Sequence, residues 1–442
     1  MTDQGRYGSW GGLPEAPSKR VLQIGWRDDR LPDDALSDSS CLCHGNGRSY
    51  GDSCLNDGAT LMSTRGLDRV IAFNVSTGDF ECEPGLLIKE LLDLTVPYGW
   101  FSPVVPGTQF VTIGGAVAND IHGKNHHLAG SFGAHVRSFE LLRSDGTRIT
   151  CSQHENSELF RATIGGLGLT GLITRVRFRL KRVPGAFIEQ EKHVFKNLSG
   201  FFAFTEAFEN GFEHTVAWID CLSSGRALGR GIMMCGNHAA GESSRQIQGG
   251  VLRSVPFTPP FSLVNGFSIR AFNEVFFQKN VLAAGASRIH HRPFFFPLDG
   301  VRDWNRIYGR RGFHQYQCVI PHAVAESAIG DMLKRIGRSR AGSFLAVLKR
   351  MGAQDAAGLL SFGRPGVTLA LDFSNHGART LELLEDLDRI TRSSGGVVYC
   401  AKDARMSPES FQAYYPQWRE LERLRDPAFN STFWRRVTKA PS

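Results

Sequence analysis

Residues 94–119, from Leu94 to Asn119, carry no Asp, Glu, Lys or Arg. Pro97, Pro103 and Pro106 interrupt the run, together with Gly99, Gly107, Gly114 and Gly115. Proline removes a helical hydrogen bond and clashes with the preceding turn, so no single helix crosses a bilayer over this stretch. The lack of charge argues for burial, and the density of breakers argues against a regular element. The stretch predicts irregular chain wrapped around a ligand.

Two glycine clusters sharpen that reading. The first is His44-Gly45-Asn46-Gly47-Arg48-Ser49-Tyr50-Gly51-Asp52-Ser53. Glycine reaches backbone angles other residues resist, and a turn whose N–H groups converge makes an anion cradle. Its spacing is not the G-x-G-x-x-G of a dinucleotide fingerprint, and no helical pattern follows it, so a Rossmann unit is excluded. The second cluster lies in Thr112-Ile113-Gly114-Gly115-Ala116-Val117-Ala118-Asn119. Thr112 is placed to cap a short helix whose first turn holds small residues, open to a diphosphate or a flavin edge. Asp120-Ile121-His122-Gly123-Lys124-Asn125-His126-His127 follows and predicts a polar active-site wall. Adjacent His126 and His127 share no face and no carboxylate set completes a metal site, so no metal is expected.

Around these clusters, residues 20–180 alternate short strands with glycine turns. Strands are predicted over 60–63, 70–73, 79–82 and 136–142, with a hairpin at Ser144-Asp145-Gly146. A helix over 86–94 would bury Leu87, Leu91 and Leu94. Ile173, Val176, Phe178 and Leu180 alternate with Arg175, Arg177, Arg179 and Lys181, a half-exposed strand with one slip near its start. After Pro184 glycine thins and phenylalanine thickens, which marks a second, α+β unit. From Pro408 the pattern is helical. The net charge of +8 suits an anionic partner. Without a dense Lys/Arg run or zinc-finger spacing, nucleic acid is not the expected one. The nine scattered cysteines and polar N-terminus fit a cytoplasmic protein with reduced thiols.

These motifs resemble the flavin subunits of decaprenylphosphoryl-β-D-ribose 2-epimerases, members of the vanillyl-alcohol-oxidase-type (PCMH) FAD-binding fold. The resemblance rests on residues 45–52, Pro106-Gly107-Thr108, residues 120–127 with 129–133, Gly168-Leu169-Thr170-Gly171, Tyr316-Gln317 and Tyr399-Cys400-Ala401-Lys402-Asp403. It implies an α+β, two-domain chain. Residues 1–186 would form the FAD-binding domain, 187–396 an α+β substrate domain, and 397–442 a return to the first. It implies FAD held non-covalently, because the covalent relatives attach flavin through a histidine in the first loop, where this chain has Gly47-Arg48-Ser49-Tyr50.

Carried over by position, the resemblance places Gly45, Asn46, Gly47, Arg48, Ser49, Tyr50, Gly51, Asp52 and Ser53 on the pyrophosphate. Gly107, Thr112, Gly114, Gly115, Asn119, His122, Ile173 and Tyr399 would line the rest of FAD. Lys124, Gln315, Gln317, Lys349 and Lys402 would meet the substrate, and Lys402, Tyr50 or His122 would take the proton. The implied reaction oxidises the 2-hydroxyl of a polyprenyl-phosphoryl ribose to a keto sugar, and a separate NAD-dependent reductase completes epimerisation to the arabinose. An oxidase of a free sugar, alditol or aldonolactone is the alternative. Ala370 stands where mycobacterial members carry a cysteine that nitroaromatic inhibitors attack, so such capture is not expected, and Thr368 replaces an asparagine. The uncharged, proline-bearing run Ser254–Ile269 is expected to border the lipid entrance or touch the inner membrane surface peripherally.

Overall fold

The computed structural model describes residues 7–208, 211–241 and 253–439. The ends of the expected segments 1–186 and 397–442, residues 1–6 and 440–442, lie outside them. Three sheets organise the chain. Arg20–Gln23, Thr60–Ser63 and Cys41–His44 form a parallel sheet with Thr60–Ser63 in the centre, buried along its length. Its strand Cys41–His44 ends where the first glycine loop begins.

Beside it lies an antiparallel sheet in the order Val70–Phe73, Asp79–Cys82, Leu172–Arg179, Val136–Leu142, Arg148–Ser152. Strand Leu172–Arg179 buries Val176 and Phe178 and exposes Arg177 and Arg179. The slip in its alternation is a bulge. Arg175 faces Glu140, Ile173 faces Leu141, and Thr174 is the extra residue, donating its hydroxyl to Glu140 Oε1 at 2.6 Å. The helix expected over 86–94 is Ile88–Thr95, with Ile88, Leu91, Leu92 and Thr95 buried. Leu94, expected inside, is 38% exposed. Leu87 is the extended N-cap, its N–H given to the Glu90 carboxylate, so the helix starts later than the leucine spacing suggests and its buried face rotates.

The third sheet has eight antiparallel strands in the order Gly285–His290, Phe187–Phe195, Gly231–Ala239, His214–Ile219, Ala346–Met351, Gly366–Ser374, Phe313–Ile320, Val397–Val398. One face packs on the helices His322–Ser339 and Ala378–Ser393 through residues such as Tyr316, Leu369 and Leu371. Side chains two residues apart share a face, so Gln315, Gln317, Lys349, Thr368 and Ala370 all lie on the other, which walls a cavity. None of the cysteines forms a disulfide among the described residues, and no helix there is long and apolar enough to cross a membrane.

After the last strand the chain returns to the first loop. Tyr50 N–H donates to Ala401 O at 2.9 Å. A Cβ on Gly51 would lie 1.7 Å from Asp403 O, so only glycine permits this approach. Arg436, on the helix Thr432–Val437, bonds both Asp52 oxygens at 2.9 and 2.7 Å and Asp403 at 2.9 Å. Gly51 and Asp52, expected on the pyrophosphate, are therefore joints. They fasten the loop to residues 403–436 and do not line the cavity.

Candidate active site

A cavity of about 880 Å³ runs from the glycine loop to the eight-stranded sheet. The uncharged stretch wraps it as expected, contributing Val105 to Thr108 and Phe110 to Thr112. Of the residues expected at FAD, Gly45 to Tyr50 and Ser53 line it, as do Gly107, Thr112, Gly114, Gly115, Asn119, His122, Ile173 and Tyr399. Among the described residues, the backbone N–H groups of Gly47, Arg48 and Ser49 have no acceptor in the protein. Arg48 Nε and Ser53 Oγ are buried without a partner. Gly47 is left-handed at φ 58°, and a Cβ there would meet Gly8 O at 2.8 Å. Unclaimed donors of this kind, with an arginine beside them, fit a pyrophosphate. Arg48 is held over the Trp10 ring at 4.2 Å.

The short helix Ile113–Ala118 has a different part from the one expected. Thr112 is its N-cap and accepts from Gly115 N at 3.2 Å. Ile113 N–H is given to Leu86 O, Gly114 N–H to Pro84 O and Ala116 N–H to Thr112 O. No donor of its first turn remains for a diphosphate. Gly114, Gly115 and Ala118 instead offer a surface without side-chain bulk against which a flat ring can lie. At its C-terminal end Asn119 O accepts the Tyr399 hydroxyl at 2.8 Å, which fixes the ring that closes the pocket.

The histidine string divides in the same manner. Asp120 sits at φ 40°, and its carboxylate accepts from Gly133 N–H at 2.8 Å and Ser361 Oγ at 2.6 Å. Burial pushes this carboxyl up to about 6. The turn it sets aims His122 into the cavity beside Gly123 and Lys124. His126 and His127 are not part of that wall, contrary to expectation. His126 Nδ1 accepts Gly352 N–H at 3.1 Å, and His127 Nε2 lies 3.0 Å from Phe212 O. They splint the loop to the neighbouring sheet. The cluster able to hold a metal among the described residues, Glu213, His214 and His238, lies off the cavity, and Lys181 ion-pairs with its carboxylate.

Lys349 Nζ lies 2.7 Å from His122 Nδ1 and 2.5 Å from Gly123 O. A protonated lysine donates to Nδ1, so neutral His122 carries its hydrogen on Nε2. Gln317 stands 3.0 Å from that Nε2, and the pairing is satisfied when its amide presents oxygen there. Burial and then the Lys349 charge hold His122 well below its ordinary pKa. Both ring nitrogens are committed to the protein. Tyr50 is buried, its phenol pushed far up by burial, so at neutral pH it stays protonated and takes no proton.

Lys402 is different. It follows the last strand on the turn Cys400–Lys402 and faces the cavity, its ammonium 3.8 Å above the Tyr50 ring. Burial brings it down to about 7. Lys124 is also brought to about 7 by burial, but it bonds Phe294 O and lies 4.8 Å from the Phe294 ring. Gln315, Gln317 and Lys349 line the cavity as expected, and Ala370 and Thr368 lie between them. Sequence reasoning missed Trp218, Phe272, Phe276 and Phe344, which form an aromatic end to the cavity.

A model of the FAD binding domain matches residues 38–152. The chain is 35% identical to decaprenylphosphoryl-β-D-ribose oxidase of Mycolicibacterium smegmatis, over 90% of this chain and 88% of that one. The chain belongs to the decaprenylphosphoryl-β-D-ribose oxidase family. It is 32% identical to an uncharacterized protein in the mprA 5'region of Streptomyces coelicolor, over 80% of this chain and all of that one. With cytokinin dehydrogenase 8 of Oryza sativa it shares 28% identity over 39% of this chain and 34% of that one. As a member of the decaprenylphosphoryl-β-D-ribose oxidase family, it is an FAD-dependent oxidoreductase with an α+β, PCMH-type fold.

Proposed function

We propose that the chain oxidises the 2-hydroxyl of a polyprenyl-phosphoryl ribose to a 2-keto sugar. The observation that carries this reading is the continuity of one cavity. It joins unclaimed loop amides, three lysines and an aromatic end built from Trp218, Phe272, Phe276 and Phe344. A substrate with an anionic sugar head and an apolar tail matches that order of chemistry.

FAD, held non-covalently by the loop at Gly47–Ser49 and the surface at Gly114–Gly115, supplies the hydride acceptor. Gln315 and Gln317 orient the sugar hydroxyls. Lys402, in its neutral form, takes the carbinol proton at Nζ. The Tyr50 ring keeps Lys402 from turning away and favours its charged form once the proton has moved. Lys349 locks His122, and Lys124 and Lys349 supply positive potential for the sugar phosphate. The keto product then passes to a separate NAD-dependent reductase. Anaerobic addition of polyprenyl-phosphoryl ribose to the purified flavoprotein bleaches the visible flavin band if the reading holds. Bleaching by soluble polyols or lactones, and none by the lipid-linked sugar, overturns it in favour of a free-sugar oxidase.

The same reading accounts for the run Ser254–Ile269. Phe257 and Phe261 are each 69% exposed, and Phe267 is 85% exposed at the start of the helix Gly266–Leu282. Phe272 and Phe276 of that helix line the cavity. Exposed rings beside Arg253 and Arg270 suit peripheral contact with an anionic bilayer, from which the tail would enter. The wild-type protein floats with anionic liposomes and the triple variant Phe257→Ser, Phe261→Ser, Phe267→Ser stays at the bottom of the gradient. Equal flotation of the two dismisses the contact.

A further inference from the structure

Glu213, His214 and His238 stand together on the eight-stranded sheet, apart from the residues that line the cavity. The register pairs His214 with Gly236, and His238 lies two residues further along its strand, so both imidazoles project from one face. Their ring centroids are 5.3 Å apart. Glu213 precedes the strand His214–Ile219, and its Oε1 lies 3.3 Å from His214 Nε2. One ligand atom from each of the three residues lies within 4.8 Å of the other two.

Packing alone does not call for these side chains. His214 is 3% exposed, yet neither of its nitrogens makes a hydrogen bond among the described residues, the Glu213 contact lacking the geometry of one. His238 Nδ1 is likewise buried without a hydrogen-bond partner there. Buried polar atoms are almost always satisfied, and a phenylalanine could pack against Phe295 as the His214 ring does at 4.7 Å. The frame around the three groups is fixed in advance. The His238 ring packs 4.9 Å from Phe101 and 5.9 Å from Phe295. Asn237 Oδ1 accepts the Glu213 N–H at 2.7 Å, and Asn237 Nδ2 donates to Gly211 O at 3.1 Å. His127 holds Phe212 O from the other side.

We propose that Glu213, His214 and His238 form a binding site for a divalent transition-metal ion of the zinc type, with water completing its coordination. Two imidazoles and one carboxylate suit zinc and its late first-row neighbours, whereas Mg²⁺ and Ca²⁺ demand oxygen. With bonds of about 2.0–2.1 Å, the ligand atoms of a tetrahedral zinc sit about 3.4 Å apart. The Glu213–His214 pair already has that spacing, and the other separations need to close by about 1.4 Å at most. Glu213 and His238 are only half-buried, which gives an ion its way in. Lys181 is the competing cation. It pairs with Glu213 Oε2 and leaves Oε1 toward His214. Its side chain is partly exposed and can turn to solvent when an ion enters. The ion would tie together the two strands that carry Trp218 and Met234 to the cavity wall. It takes no part in the reaction proposed above and is independent of it.

The test titrates Zn²⁺ into chelator-stripped, FAD-loaded protein against a chromophoric zinc indicator, and follows thermal unfolding in parallel. The wild type binds one ion and its Tm rises with Zn²⁺ but not with Mg²⁺. Glu213→Gln and His238→Gln, both at half-buried positions, each weaken binding by about ten-fold or more and lose the Tm shift. Lys181→Met keeps all three ligands, removes the competitor and binds more tightly, a gain that scattered surface histidines would not give. Retained FAD shows that each variant is folded. Should His238→Gln lose FAD, Glu213→Gln and Lys181→Met decide between them. No uptake of Zn²⁺ by the wild type, equal affinity in the wild type and the ligand variants, or an equal Tm shift with Mg²⁺ overturns the proposal.

Discussion

Replacing Lys402 with methionine leaves FAD bound and slows substrate-driven flavin reduction by about 10²–10⁴-fold, the usual contribution of a positioned general base. The methionine keeps the volume over the Tyr50 ring, so the cavity holds its shape. In the wild type, kcat/KM rises with pH through about 7 and then levels, because burial brings Lys402 to that value and only its neutral form accepts the carbinol proton. Lys402→Arg stays charged at every accessible pH and loses the rising limb together with the rate. Stopped-flow flavin absorbance under anaerobic conditions measures both. A rate within a few-fold of wild type in Lys402→Met would move the proton role elsewhere, and the committed nitrogens of His122 make a water the next acceptor to consider.

Replacing Arg436 with methionine destabilises the chain by about 3–5 kcal/mol, the cost of stranding buried charges. Arg436 is the shared partner of Asp52 and Asp403, both almost fully buried. The effect has a distinctive pH dependence. Burial alone would raise the Asp403 carboxyl, but Arg436 and Arg405 overcome it and hold the group below its ordinary value. In the wild type this contribution is present above the unfolded carboxylate value and is lost as pH falls through the folded one. Burial already raises the Asp52 carboxyl with Arg436 in place; loss of Arg436 removes the charge that holds Asp403 down, and protonation at low pH relieves both. The deficit of the variant in urea unfolding is therefore largest at neutral pH and shrinks toward acid. FAD retention falls with stability, since the same clasp holds the loop that carries Gly47 to Tyr50.

The clasp also shows why the local sequence does not distinguish Gly51 and Asp52 from their neighbours in the loop. Both stand in a glycine-rich loop and share its composition, and nothing local separates a residue that meets a ligand from one that meets residue 403 or 436. The approach of Gly51 to Asp403 O is a contact across more than three hundred residues of chain. The helix Ile113–Ala118 makes the same point. Its cap and small first turn were legible from Thr112 onward, but its first-turn donors are taken by the chain at Pro84 to Leu86, and only the assembled fold reveals that competition. His126 and His127 went the same way, drawn to Gly352 and Phe212.

What the sequence determined by itself were the features with short-range causes. The strand alternation and its bulge, the exclusion of a Rossmann turn, the irregular wrap over residues 94–119 and the shared face of Gln315 and Gln317 follow from side-chain periodicity and backbone steric limits. What the tertiary structure alone decided is which polar groups remain unclaimed. Each buried donor or acceptor takes the partner that folding brings near it, and the amides of Gly47 to Ser49 and the ammonium of Lys402 are left facing the cavity because long-range packing brings them no other.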